Sequence, residues 1–261
     1  MRSDLNTRAE HEVRHGRWLA EQDTEKIWGW NTPAGQLRAQ RRAQKILDKT
    51  RIQPTDRVLE IGCGTGLFTA MFAATGARIV AVDISPELLA KARLKNLPVE
   101  QVTFLEKRFE DCDVDGPFDA VIGSSILHHL DIDQSITRIK ALLKPGGRIG
   151  FAEPNMLNPQ VYLERRFQYL PIFSYTSPDE TAFVRWKLAA KLRKAGFHNV
   201  SIEPFDWLHP ATPKSLIGTV RSVGNFLETI PWAREFSGSL TISAQCGTAD
   251  GSFESTMEPP S

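Results

Sequence analysis

The hydrophobic positions of this chain change rhythm near residue 57. Over residues 5–50 they are sparse, with apolar spots at Leu19, Ile27, Leu37, Ile46 and Leu47 among helix formers. That spacing predicts one to three helices, interrupted at WGWNTPAG, where Asn31, Pro33 and Gly35 break the period. From Arg57 short apolar runs alternate with helical stretches: RVLEIG, then 66–75; RIVAVD, then 86–95; VTFLEK; FDAVIGS, then 133–143; and GRIGFAE. Such strands are buried on both sides, which implies a parallel sheet covered by helices on both faces.

Local signals agree with this reading. SPELLAKARLK opens with a Ser-Pro pair and an early Glu, and its Leu88, Leu89 and Ala92 share one face. LLKPGG stops a helix and turns into the next strand. After Glu153 the alternation loosens into PNMLNPQVYLERRFQYLPIFSYTSP, an insertion rich in proline and aromatics over the sheet's edge. DETAFVRWKLAAKLRKAGF then reads as an amphipathic helix ending at Gly196, and HNVSIEPF and SLTISAQ as two final strands. A further helical stretch around Lys214 to Leu227 separates them. The expected organisation is a helical cap or lid over 1–50 and an α/β domain over 51–246 with insertions at 155–178 and 205–238. A small polar tail over 247–261 is expected to be disordered.

Composition narrows the partners. The formal net charge of +1 over 261 residues points to neither nucleic acid nor a membrane surface. Three cysteines without a CxxC pair argue against a disulfide framework or a structural zinc and fit a reducing compartment. No segment approaches the roughly 20 apolar residues of a membrane span. The expectation is a cytoplasmic protein, monomer or homodimer, with a small-molecule partner.

The chemistry concentrates at VLEIGCGTG, where a strand ends in glycines at every second position from Gly62 to Gly66. Glycines let the backbone turn sharply and approach a ligand without Cβ collisions. A dinucleotide loop would place its third glycine where Leu67 stands. Glu60, expected at the mouth of the site, would repel a pyrophosphate but suits an ammonium group. Asp83 ends the second strand, where an acid accepts hydrogen bonds from ribose hydroxyls. An ammonium, a ribose and no phosphate describe S-adenosylmethionine.

VLEIGCGTG, AVDIS, FDAVIGSSILHHL and LKPGGRIGFAEPN, in this order over residues 55–155, resemble the class I S-adenosylmethionine-dependent methyltransferases. The resemblance implies a doubly wound, Rossmann-like sheet of seven mostly parallel strands, the last antiparallel. It implies cofactor contacts from Glu60, Gly62, Cys63, Gly64, Thr65 and Gly66, from Asp83 and the apolar Ile84, and from Ser124. Phe109 and Glu110 stand near the place where the family has an aspartate and a small residue at the adenine. Of the adjacent His128 and His129, one is expected to face the pocket as a general base; His129 occupies the position that borders substrate in related enzymes. Trp30, Glu153, Asn155, Tyr162, Arg166 and Tyr169 are the expected acceptor contacts, and Arg38 or Arg42 the partner of the cofactor's carboxylate. His128, His129, Asp131 and Asp133 could pass for a metal cluster, but a helix N-cap explains the acids more simply, so no metal is expected.

The function expected is methyl transfer from S-adenosylmethionine to a small molecule, most simply at oxygen, with carbon or nitrogen of a quinone, sugar or secondary metabolite open. A non-catalytic methyltransferase-like binding subunit and a nicotinamide-dependent oxidoreductase are the alternatives.

Overall fold

The computed structural model describes residues 2–167 and 180–247. The tail beyond Gly247 and residues 168–179, with Tyr169, lie outside the described residues. Three helices precede the alternating region: α1 (Arg2–Glu21), α2 (Thr24–Ile27) and α3 (Pro33–Thr50). Pro33 sits at the first turn of α3, and the Thr32 hydroxyl accepts from the Gly35 amide at 2.9 Å, so the motif that breaks the period also starts the next helix.

The strands are β1 (Arg57–Ile61), β2 (Arg78–Asp83), β3 (Val102–Glu106), β4 (Phe118–Ser124), β5 (Leu143–Pro154), β6 (Phe197–Phe205) and β7 (Ser239–Cys246). They form one sheet in the order β3-β2-β1-β4-β5-β7-β6. Neighbours from β3 to β5 pair in parallel, and β7 runs antiparallel between β5 and β6. The order reverses between β1 and β4. Loops leaving those two strands part company there, which opens a crevice at their carboxyl ends.

Side-chain alternation along the strands divides the core. Val58 packs with Ile46 of α3, with Phe72 of α4 (Leu67–Ala73) and with Leu89 of α5 (Pro86–Arg93). Leu59 and Ile61, on the opposite face, join Ile139 and Leu142 of α6 (Ile132–Leu142). Burying each such side chain contributes roughly 1.5–3 kcal/mol. Two further helices, α7 (Pro159–Arg166) and α9 (Ile217–Thr229), lie in the insertions. The helix expected after Asp179 occupies only Arg185–Lys194 (α8), because the residues before it are engaged elsewhere. Phe183 bridges to Asn155, and Thr181 donates its amide to the His128 carbonyl. No helix among the described residues is long and apolar enough to cross a membrane.

α3 belongs to the core, since Ala39, Ala43 and Ile46 are buried against the sheet. Only α1 and α2 stand over the rim. α1 packs on α5, and Gly16 lies so close to Ser85 that an added Cβ would meet its Cβ at 2.8 Å.

Candidate active site

The glycine turn is shaped by close approach. Gly62 has φ +65°, and its amide and that of Cys63 donate to the Val82 carbonyl at 2.8 and 3.1 Å. A Cβ at Gly62 would lie 2.4 Å from Ile126 Cδ1, so only glycine lets the loops from β1 and β4 meet. Asp83 ties the loop to β2: its two oxygens accept from the amides of Gly64 at 2.7 Å and Ser85 at 2.9 Å. Burial pushes the Asp83 carboxyl above its usual pKa, against the pull of those amides.

Glu60 is not at the mouth. It is buried at the base of the turn on the α3–α4 face, and Oε2 has no hydrogen-bond partner among the described residues. Burial raises its pKa to about 8, and the nearby Asp83 adds to the effect. The neutral acid therefore predominates at neutral pH. Cys63 is buried and its thiol pKa is raised for the same reason, which leaves it unreactive.

The other side of the crevice is organised by a second buried acid. Glu153, at the end of β5, accepts from the amides of Ile126 and Leu127, each at 2.9 Å. Its other oxygen lies 2.7 Å from His128 Nδ1. Burial would raise this carboxyl, but His128 and the two amides outweigh it and the pKa falls. Burial and the charge on His129 lower the pKa of His128. His129 goes the other way. Burial opposes its protonation, yet Glu12 of α1, 3.0 Å from Nδ1, dominates with help from Glu180 and Glu153, and the pKa rises to about 9. One histidine is thus held neutral and its neighbour charged.

Arg42 reaches the same rim from α3. Its guanidinium donates to the hydroxyls of Ser124, Ser125 and Ser239 and to the Ala152 carbonyl at 2.6–3.2 Å. It is buried with no carboxylate paired to it among the described residues, and burial, with Arg38 beside it, lowers its pKa to about 10. The Ser125 backbone is left-handed, φ +58°, a conformation that this hydrogen bond helps to hold.

These groups surround a cavity of about 680 Å3. Gly62, Cys63, Gly64 and Thr65 line one end with Asp83, Ile84 and Ser124, under Trp28 and Trp30. His128, His129, Arg38 and Arg42 lie along it, and Trp207 and Arg165 line it too. A small recess beside it is walled by Asp83, Ile84, Phe109, Glu110 and Ile126, and by Arg8 and Glu12 of α1.

Other expected contacts do not line the cavity. Glu153 is buried behind it, and the Asn155 amide donates to the carbonyls of Glu235 and Ser237 at 2.8 Å. Tyr162 is half exposed, and Arg166 lies over the Phe167 ring. Asp131 caps α6 by accepting from the amides of Asp133 and Gln134. His128, His129 and Glu180 bring ligating atoms within 4.8 Å of one another. Glu180, however, pairs with Arg165 at 2.7 Å, and His129 with Glu12, so local charge is already balanced.

Residues 59–149 match the family described as "Methyltransferase domain". The sheet order and the paired loop geometry agree with that match. Residues 59–149 carry a methyltransferase domain. Over 152 residues the domain is 36% identical to the ubiquinone biosynthesis O-methyltransferase of Xylella fastidiosa (strain 9a5c), covering 54% of this chain and 61% of that protein. The chain therefore spans about three-fifths of the length of that curated relative.

Among solved structures, the methyltransferase fold is shared with the partner of the Trm112 activator from Haloferax volcanii, described as a putative methyltransferase. There the TM-score is 0.64 at 21% identity, over 89% of this chain and 97% of that one. It is also shared with the N-methyltransferase NodS of Bradyrhizobium japonicum WM9, solved with S-adenosyl-L-homocysteine. That likeness has a TM-score of 0.62 at 16% identity, over 90% and 98% of the two chains.

Sequence reasoning missed Glu12, Glu180 and Trp207 as members of this site, whereas Arg165 belongs to the segment expected to cover the acceptor. Glu12 lies in a uniformly charged stretch, and only its spacing of four residues from Arg8 and Gly16 places all three on one helical face. Trp207 carries no local signal at all.

Proposed function

We propose that this methyltransferase domain moves a methyl group from S-adenosylmethionine to a hydroxyl of a small planar acceptor, with His128 taking the hydroxyl proton. The observation that carries the proposal is the Glu153–His128 pair on the wall of the glycine-loop cavity. With Nδ1–H donated to the carboxylate, Nε2 keeps its lone pair, the arrangement by which a carboxylate fixes a basic imidazole. A neutral histidine can accept a proton at physiological pH; His129, held as an imidazolium by Glu12, is the weaker candidate. Such a base contributes roughly 10²–10⁴-fold.

The residues present fit the cofactor. Gly62, Cys63, Gly64 and Thr65 line the cavity with Asp83, and Asp83 also faces the recess suited to a nucleoside. Asp83 would take the ribose hydroxyls, Ile84 the adenine face, and Arg42 or Arg38 the carboxylate. Glu60 supports an ammonium from below the turn rather than by direct contact. When bound, the sulfonium supplies an activated methyl group, so orientation of the acceptor is the chief task left to the chain.

Two buried donors support an oxygen-bearing acceptor. Among the described residues Arg165 Nη1 and Trp207 Nε1 have no hydrogen-bond partner, and both residues line the cavity. A buried donor left unpaired costs about 1–3 kcal/mol, which an oxygen on the acceptor would offset. O-methylation in the printed name of the Xylella relative points the same way.

Titration calorimetry with S-adenosylmethionine and S-adenosylhomocysteine tests the cofactor, and a labelled-methyl screen of a cell extract finds the acceptor. Asp83→Ala should remove most of the affinity; unchanged binding would refute the ribose assignment.

A further inference from the structure

α1 touches the crevice at both of its rims. Toward the β4 loop, Arg8 Nη2 donates to the His128 carbonyl at 3.3 Å, and the Glu12 carboxylate pairs with His129 Nδ1 at 3.0 Å. Toward the β2 loop, Gly16 packs on Ser85, and Arg17 Nε donates to Glu87 at 3.2 Å. These residues recur at helical spacing on one face. Arg8 and Glu12 also wall the small recess beside Asp83, Ile84 and Phe109. The helix therefore covers the end of the site that suits a nucleoside, and its Glu12–His129 ion pair is largely buried, with side-chain exposures of 16% and 19%.

We propose that Glu12 is a positioning residue of the cofactor site: it holds His129 against the nucleoside end and latches α1 across it, so that α1 must lift for cofactor and product to exchange. The inference rests on the S-adenosylmethionine reading. It assigns His129 to closure of the cofactor pocket and leaves proton transfer to His128. The remaining charged groups felt at His129 are Glu180 and Glu153, with His128, His15 and Asp83 electrostatically coupled to it. Arg165 already engages Glu180, and His128 engages Glu153. Glu12 is therefore the acid whose removal should free His129 most.

Three readouts on the full chain separate the possibilities. In Glu12→Gln, labelled-histidine NMR should show the His129 pKa falling by more than about one unit. Stopped-flow release of S-adenosylhomocysteine should quicken about tenfold or more, the scale of one largely buried ion pair. Glu12→Asp should recover part of both. Gly16→Leu, which wedges α1 from Ser85 while keeping both members of the ionic pair, should also speed release. Hydrogen exchange of the α1 amides should slow when S-adenosylhomocysteine binds. If the wild-type protein fails to bind S-adenosylhomocysteine, the cofactor reading falls and the latch with it. If binding is intact but release and exchange are unchanged in both variants, the latch alone is overturned.

Discussion

Glu60→Gln is the sharpest test of the charge balance under the glycine turn. The carboxyl is 1% exposed, and its pKa stands at about 8 against 4.5 for the free side chain. A raised folded-state value means that the native protein binds the proton more tightly than the unfolded chain. The stabilisation is fully present below pH 4.5 and is lost as pH rises through about 8. At ~1.36 kcal/mol per unit, the loss between pH 5 and pH 8 is roughly 3–4 kcal/mol. A glutamine mimics the protonated acid and cannot ionise. Urea unfolding of the two proteins from pH 5 to pH 8 should therefore give curves that diverge, the variant gaining on the wild type by that amount. The difference between the two isolates Glu60 from His129, whose raised pKa of about 9 weakens both proteins alike between pH 6.5 and 9. Calorimetry should add a second sign: a cationic ligand above the turn favours the carboxylate, so binding near pH 7 releases protons in wild type and fewer in the variant. Parallel stability curves would refute the buried-acid argument whatever the absolute stabilities.

His128→Asn should lower kcat by roughly 10²–10⁴ on the screened acceptor and leave S-adenosylhomocysteine affinity intact, whereas His129→Asn should act mainly on that affinity; equal effects on kcat would remove the distinction between the two histidines. Gly62→Ala forces a Cβ to within 2.4 Å of Ile126 and strains a left-handed residue, so chemical denaturation should report a loss of about 1–3 kcal/mol. Arg42→Met strands three hydroxyls and the Ala152 carbonyl, and a loss of about 3 kcal/mol or more is expected by the same assay. A change below about 1 kcal/mol there would mean that water replaces the guanidinium without cost.

Much of the scaffold was legible because it is written locally. Strands buried on both faces announce themselves as apolar runs, and the turn at Gly62 is visible because positive φ and close approach admit almost nothing else. Thr32, Ser85 and Asp131 mark helix starts by short-range hydrogen bonds. The helix expected from Asp179 was shortened by something no local pattern encodes, the pairing of Phe183 with Asn155. Glu60 is in the motif where expected, yet the pleat of β1 turns its side chain into the core beneath the loop, a matter of strand phase against packed helices.

By itself, then, the order of residues determined the alternation of buried strands with helices and the bare turn with Asp83 beside it, since each depends on interactions within a few residues or on the period of burial, whereas the strand order and its reversal between β1 and β4 belong to the tertiary structure. Tertiary structure decided what the titratable groups are. His128 and His129 are identical neighbours in the chain, and only burial beside a charged His129 keeps the first neutral, while Glu12 from α1 keeps the second charged. A pKa is set by burial and by charges a few ångströms away, and those distances exist only once separate parts of the chain have packed together.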